Sequence, residues 1–197
     1  MADNFLGPIA RGGFKSSFIG RVAGVDVEAD RDATVARLLP YHKSEIESLG
    51  FSWVNTWRAE QVHGGEVAVV RELAGDIIQS VDGLITNVPG VLLAIYVADC
   101  GAVYLLDEKN KAIGLVHSGK KGTKAEIVRV ALDKMAEEYG TNPADVVAVL
   151  APCIRPPAYE CDFALEIKKT IEVAGVKEYY DSGICTSSDL SKYYSYR

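Results

Sequence analysis

Histidine is scarce in this 197-residue chain: there are three, beside four cysteines and two tryptophans. Any imidazole site must therefore be small. None of the cysteines, Cys100, Cys153, Cys161 and Cys185, forms a CxxC pair, which removes the usual ligand pattern of a four-coordinate structural zinc. No basic stretch followed by an apolar one opens "MADNFLGPIARGG", so no secretory signal is expected. A cytoplasmic location follows as an expectation, with the cysteines as thiols or metal ligands rather than a disulfide framework. The longest apolar run, "VLLAIYVADC", is far short of the roughly 20 residues of a membrane-spanning helix. Positive charge is not in excess: 21 Lys and Arg stand against 27 Asp and Glu, a net charge of −6. That excludes a general attraction for nucleic acid or anionic membrane. What is present, 48% hydrophobic and 24% charged residues, is a globular balance. The length suits one domain, residues 1–197, with a substantial core.

No repeat or linker divides the chain. Residues 1–24 are glycine-rich and irregular. A helix is expected from Asp30 to Leu39, capped by Asp30 or Asp32 and broken or kinked at Pro40. "EVAVV" (66–70), "GLIT" and "VLLAIYVAD" read as strands, the last two joined by an "NVPG" turn. Thr123 and Glu126 fit a capping box ahead of a helix with Ile127, Val130, Ala131 and Met135 on one face and Gly140 as its stop. "DVVAVLAPCI" predicts another strand, and "FALEIKKTIEVAGV" a second amphipathic helix ending near Gly175. Helices and strands mix without strict alternation, which predicts an α+β fold with a mixed sheet.

The stretch "YVADCGAVYLLDEKNKAIGLVHSGKKGT", Tyr96 to Thr123, concentrates the chemistry. "GAVYLLD" and "KAIGLVH" are β-rich runs separated by the polar "EKN", a hairpin. Pairing Asp107 with Lys111 places Gly101 opposite His117. Cys100 and His117 then share one end of the hairpin but face opposite sides, unless a bulge at Gly101 intervenes.

His63 sits in the turn "AEQVHGGEV", just before a strand. Together His63, Cys100 and His117 make a three-ligand zinc site, two imidazoles and a thiolate, with a fourth position open. Cys100 as nucleophile and His117 as its base is the rival reading, with Asp99 available to orient a histidine. Spacing alone does not separate the two. "SGKKGT", leading into a capped helix, offers backbone N–H groups, Lys120 and Lys121 to an anion such as phosphate.

"QVHGGEV", "VDGLITNVPGVLLAIYVADC", "AIGLVHSGKKGT", "APCIRPPAYE" and "GICT…YYSYR" follow one another from Gln61 to Arg197. In that order they resemble the YfiH/YlmD-type laccase-domain family, whose members carry names such as polyphenol oxidase and purine nucleoside phosphorylase. The resemblance implies an α/β/β/α sandwich and a zinc ion on His63, Cys100 and His117. It departs in two places. Lys120 and Lys121 stand where the family motif has Trp and Arg, and the family usually continues past the "SYR" segment. A lysine lacks an arginine's bidentate fork.

The resemblance also implies a small-molecule substrate, a purine nucleoside with phosphate, and chemistry of two kinds: phosphorolysis, or deamination of adenosine by zinc-activated water. Lys120, Lys121, Gln61 and Arg197 are then the candidates to touch substrate or phosphate. Tyr159, Glu160 and Arg155 lie in a further family motif. Hydrolysis of mis-made peptidoglycan precursors is the enzymatic alternative, and a non-catalytic metal-binding homologue the other. Copper enters through the family label, but a multicopper oxidase needs many more histidines than three, so laccase chemistry is not expected. Oligomeric state is not legible.

Overall fold

The computed structural model describes residues 4–27 and 30–197. The irregular start is seen from Asn4 onward; the first three residues lie outside the described ones. The first regular helix, α1 (Arg31–Ser48), is capped by Asp30, whose carboxylate accepts from Ala33 N at 2.9 Å. It continues through Pro40 without the break, one of the two outcomes expected there. Pro40 and Ala36, the residue whose carbonyl loses its helical partner, are both exposed, so water can take that carbonyl.

Five short strands follow: β1 (Thr56–Ala59), β2 (Val67–Val69), β3 (Ile77–Ile78), β4 (Gly83–Thr86) and β5 (Leu92–Ala94). The long hairpin comes next, β6 (Gly101–Asp107) and β7 (Ala112–Ser118), then the short α2 (Lys120–Lys124) and α3 (Ile127–Tyr139). β8 (Val147–Leu150), α4 (Phe163–Val173) and β9 (Glu178–Asp181) complete the order. The strands form a mixed six-stranded sheet, β2-β4-β7-β6-β8-β9, and a parallel three-stranded sheet, β3-β1-β5.

Helices α3 and α4 cover one face of the large sheet. Ile127, Ala131, Leu132 and Met135 of α3, with Ile167 and Ile171 of α4, bury against Ile85, Val103 and Val116. Each of these side chains except Ala131 contributes roughly 1.5–3 kcal/mol on burial. Val130, expected on this stripe, is only partly buried and packs at its edge. The small sheet lies on the other face, Ala59 and Leu93 packing on Leu84 and Leu115. α1 stands across a cavity of about 1020 Å³ from β5 and the β6–β7 hairpin, so that helices flank the two sheets.

Two local expectations are corrected. The hairpin pairs Asp107 with Ala112, not Lys111. Asp107 turns its carboxylate onto Asn110, accepting from its N at 3.1 Å and its Nδ2 at 2.7 Å, and Lys111 takes a left-handed φ of 55°. The loop thus spends one more residue than "EKN". The Thr123–Glu126 capping box does not form either. Glu126 is left-handed (φ 53°) and separates α2 from α3, while Thr123 Oγ1 lies 2.8 Å from Ser118 Oγ.

Candidate metal centre

The hairpin register settles how Cys100 and His117 meet. With Ala102 opposite His117, and side chains alternating along a strand, Cys100 two residues earlier falls on the same side as His117. No bulge is needed. His63 reaches the same point from the loop after β1. The His63, Cys100 and His117 ligand atoms lie within 4.8 Å of one another, and the two imidazole rings meet edge-on with centroids 4.8 Å apart. His117 is buried, Cys100 half-buried and His63 exposed. All three line the large cavity.

The residue that organises them, Asp82, was not singled out by the sequence. It stands at the start of β4 and is fully buried. Its Oδ1 lies 2.7 Å from His117 Nδ1. A carboxylate only accepts, so Nδ1 carries the proton and the Nε2 lone pair is left for a metal. The same carboxylate accepts from the backbone N of His63 at 2.8 Å, Gly64 at 2.7 Å and Val62 at 3.2 Å. That nest holds a loop in which Gln61 and His63 both have left-handed φ, 63° and 60°. Burial alone would raise the Asp82 carboxyl, but these hydrogen bonds, His117's foremost, hold it below the ordinary 3.8. An acid inside the apolar stretch "VDGLIT" was the available signal, since a buried carboxylate must find donors.

Packing fixes Cys100 as well. A Cβ on Gly119 would stand 2.6 Å from Cys100 Sγ and 3.7 Å from His63 Cδ2, so the backbone passes directly over the thiol. Asp99, proposed as a histidine orienter, does something else. In a left-handed turn (φ 76°) it accepts from Thr186 Oγ1 at 2.7 Å and Tyr196 N at 2.8 Å, tying the C-terminal segment beside Cys100.

Proton affinities bear on the choice between metal ligand and nucleophile. Burial, then the Asp99 and Asp82 charges, push the Cys100 thiol up to about 11 from 9.0. Burial, then the neighbouring His117, push the His63 imidazole below 6.5, with Lys121 and Arg31 adding to the effect against Asp82. The protein groups alone therefore make neither the thiolate nor an imidazolium at His63. A divalent cation does generate a thiolate. The donor set of two imidazoles and one sulfur, with Nε2 of His117 freed by Asp82, fits such a cation.

The substrate candidates are dispersed. Gln61 lines the cavity, but its side chain brackets Tyr96, accepting from Tyr96 N at 2.8 Å and donating to Tyr96 O at 2.6 Å. Lys120 pairs with Glu160 at 3.1 Å, and Arg197 lies over the Tyr159 ring at 5.3 Å. Neither they nor Lys121 line the cavity. Arg155 is bound to Asp181. The third histidine, His42, is outside the triad and stacks on Tyr96, centroids 5.3 Å apart.

A family model described as multi-copper polyphenol oxidoreductase laccase matches residues 18–166. The chain belongs to this family. A purine nucleoside phosphorylase of Bacteroides thetaiotaomicron is 44% identical over 85 residues, 43% of this chain but 32% of that protein. Against that relative the chain thus spans about a third of the length. Purine nucleoside phosphorylase YlmD of Bacillus subtilis is 27% identical, covering 85% of this chain and 73% of its own. One from Deinococcus radiodurans is 32% identical over 176 residues, 76% of this chain and 67% of that protein. Among solved structures, YlmD from Geobacillus stearothermophilus matches 93% of this chain and 83% of its own with a TM-score of 0.75. The Bacillus licheniformis protein YfiH matches 88% and 79% with a TM-score of 0.77. At 24% and 22% identity, these two establish the fold.

Proposed function

We propose that this protein is a zinc-dependent purine nucleoside phosphorylase, its metal held by His63, Cys100 and His117. The observation that carries the reading is the single cavity joining that triad to an aromatic wall of Tyr96, His42 and Trp53. Its volume, about 1020 Å³, accommodates a nucleoside and a phosphate together. The names of the relatives support the substrate class. The two histidines of the triad do not supply a multicopper cluster.

In phosphorolysis a phosphate oxygen bonds to the anomeric carbon of the ribose as the glycosidic C–N bond breaks. The electron pair goes to the base, which leaves with the proton that the attacking hydrogen phosphate gives up, and ribose phosphate remains. When bound, the metal supplies Lewis-acid polarisation at its open position. Asp82 holds His117 in one tautomer and His63 in one loop conformation, and the aromatic wall gives a planar base a stacking face.

The test is mass-spectrometric analysis of zinc-loaded protein given adenosine or inosine, with and without phosphate, beside Cys100→Ala. Phosphate-dependent free base and ribose phosphate, lost in the variant, are expected. Inosine from adenosine without phosphate is the product of the second reading, deamination, which the open fourth position also supports. No product from either nucleoside overturns both readings and leaves a metal-binding homologue or an editing hydrolase.

A further inference from the structure

The cavity wall carries a cation that the metal centre does not use. Arg31, the first residue of α1, lines the cavity together with Gln61 and His63. Its Nη2 donates to Gln61 Oε1 at 3.3 Å. Gln61 is 7% exposed and fastened at both ends of its amide to the Tyr96 backbone. It acts as a fixed bracket. Arg31, by contrast, commits one of five guanidinium donors, and among the described residues it meets no carboxylate. Its charge reaches both His63 and Tyr96.

Lys15, Arg21 and Lys111 also line the cavity; Arg21 lies over the Tyr194 ring at 5.5 Å and Lys111 over the Phe14 ring at 5.8 Å. Of these four cavity cations Arg31 is the one held to Gln61 and the one whose charge acts on His63. Arg31 is thus a cation facing the cavity with an open fork of donors, held by Gln61, which precedes the triad's His63 by two residues in the chain. A planar fork matches two oxygens of a tetrahedral oxyanion better than a lysine does.

We propose that Arg31 binds a phosphate group in the cavity beside His63, with Gln61 holding its guanidinium in place. The role of that phosphate as co-substrate rests on the phosphorylase reading; the binding itself does not. The shared chemistry is a phosphate oxyanion, arriving either as inorganic phosphate or on a nucleoside monophosphate.

The test uses zinc-loaded full-length protein as wild type, Arg31→Ala and Arg31→Lys, with Arg129→Ala on α3 as a charge control. Inorganic phosphate and adenosine 5′-monophosphate are each titrated by calorimetry. Arg31→Ala is expected to weaken binding about tenfold or more, the size of lost hydrogen bonds to a charged group, with Arg31→Lys between the two and Arg129→Ala like wild type. In turnover the KM for phosphate rises by a similar factor while the KM for inosine changes by less than about twofold. Arg31-dependent binding of inorganic phosphate with no nucleoside cleavage sustains the site and sinks the phosphorylase reading. Dependence seen with the monophosphate alone sustains the site and makes a nucleotide its source. If neither anion binds, or both bind Arg31→Ala as they bind wild type, the proposal is overturned.

Discussion

Asp82 Oδ1 stands 2.7 Å from His117 Nδ1 and 2.8 Å from the backbone N of His63. One buried oxygen therefore fixes the ring of one metal ligand and the main chain of another. Asp82→Asn keeps the shape but loses an acceptor, and it is expected to weaken zinc binding about 10–100-fold, the usual cost of losing an outer-sphere carboxylate. Competition against a chromogenic chelator measures this. Asp82→Ala strands several buried donors and should cost about 3 kcal/mol or more in urea unfolding. Wild-type zinc affinity in Asp82→Asn would show that His117 needs no orienting partner.

Gly119 gives a second handle on the same centre. An alanine there brings a Cβ to 2.6 Å from Cys100 Sγ, so the thiol must turn or the loop must lift. Gly119→Ala is expected to lose zinc at least tenfold more readily and to lose about 1–3 kcal/mol through overpacking. The far-ultraviolet circular dichroism should remain that of wild type. Zinc content after dialysis against chelator checks the first point; undiminished content would mean the sulfur is not held by this backbone.

The triad is legible in the sequence through the family motifs that His63, Cys100 and His117 resemble; strand and turn signals alone leave a metal site and a nucleophile with its base unseparated. Its geometry is not. Alternation along "GAVYLLD" and "KAIGLVH" reveals a hairpin, yet the register depends on Asp107 folding its side chain onto Asn110, which moves the pairing by one residue. In a sheet that single step reverses which face Cys100 shares. Asp82 escapes notice because its importance lies in donors contributed by a loop 18 to 20 residues away and a strand 35 residues away. The strands β1, β3 and β9 were missed for a simpler reason. β3 has two residues, β1 carries Arg58 at its centre, and β9, "EYYD", is largely exposed, so none shows the alternation of a half-buried strand.

Pro40 supplies a prediction about stability rather than chemistry. It sits in the interior of α1 on the exposed face, where proline costs about 3 kcal/mol relative to alanine. Part of that is offset because proline stiffens the unfolded chain by about 0.4–1 kcal/mol. Pro40→Ala should therefore raise unfolding stability by about 2 kcal/mol, read as a higher urea midpoint with an unchanged slope. A lower midpoint would show that the native helix is built around a distortion the proline requires.

The proton balance of metal binding tests whether Cys100 ligates as a thiolate. In the metal-free protein its thiol titrates at about 11, so at pH 7.5 it is protonated, and a cation that takes the sulfur must expel that proton. Calorimetric zinc titration in buffers of differing ionisation enthalpy should report about one proton released per metal, and none from sulfur in Cys100→Ser. The same shift has a stability consequence with a fixed sign. The folded pKa lies above the unfolded value of 9.0, so this contribution is whole below pH 9 and is lost as pH rises through 11. His63 and Asp82 act at the acid side. Both are lowered on folding, so their contributions are present above about pH 6.5 and 4 respectively and fade as pH falls below those values. Metal-free protein should thus lose stability at both flanks, and zinc should remove the alkaline loss by converting the thiol to thiolate in the folded state. Zinc uptake at pH 7.5 without proton release would mean the sulfur is not a ligand, leaving His63 and His117 as the pair that holds the ion.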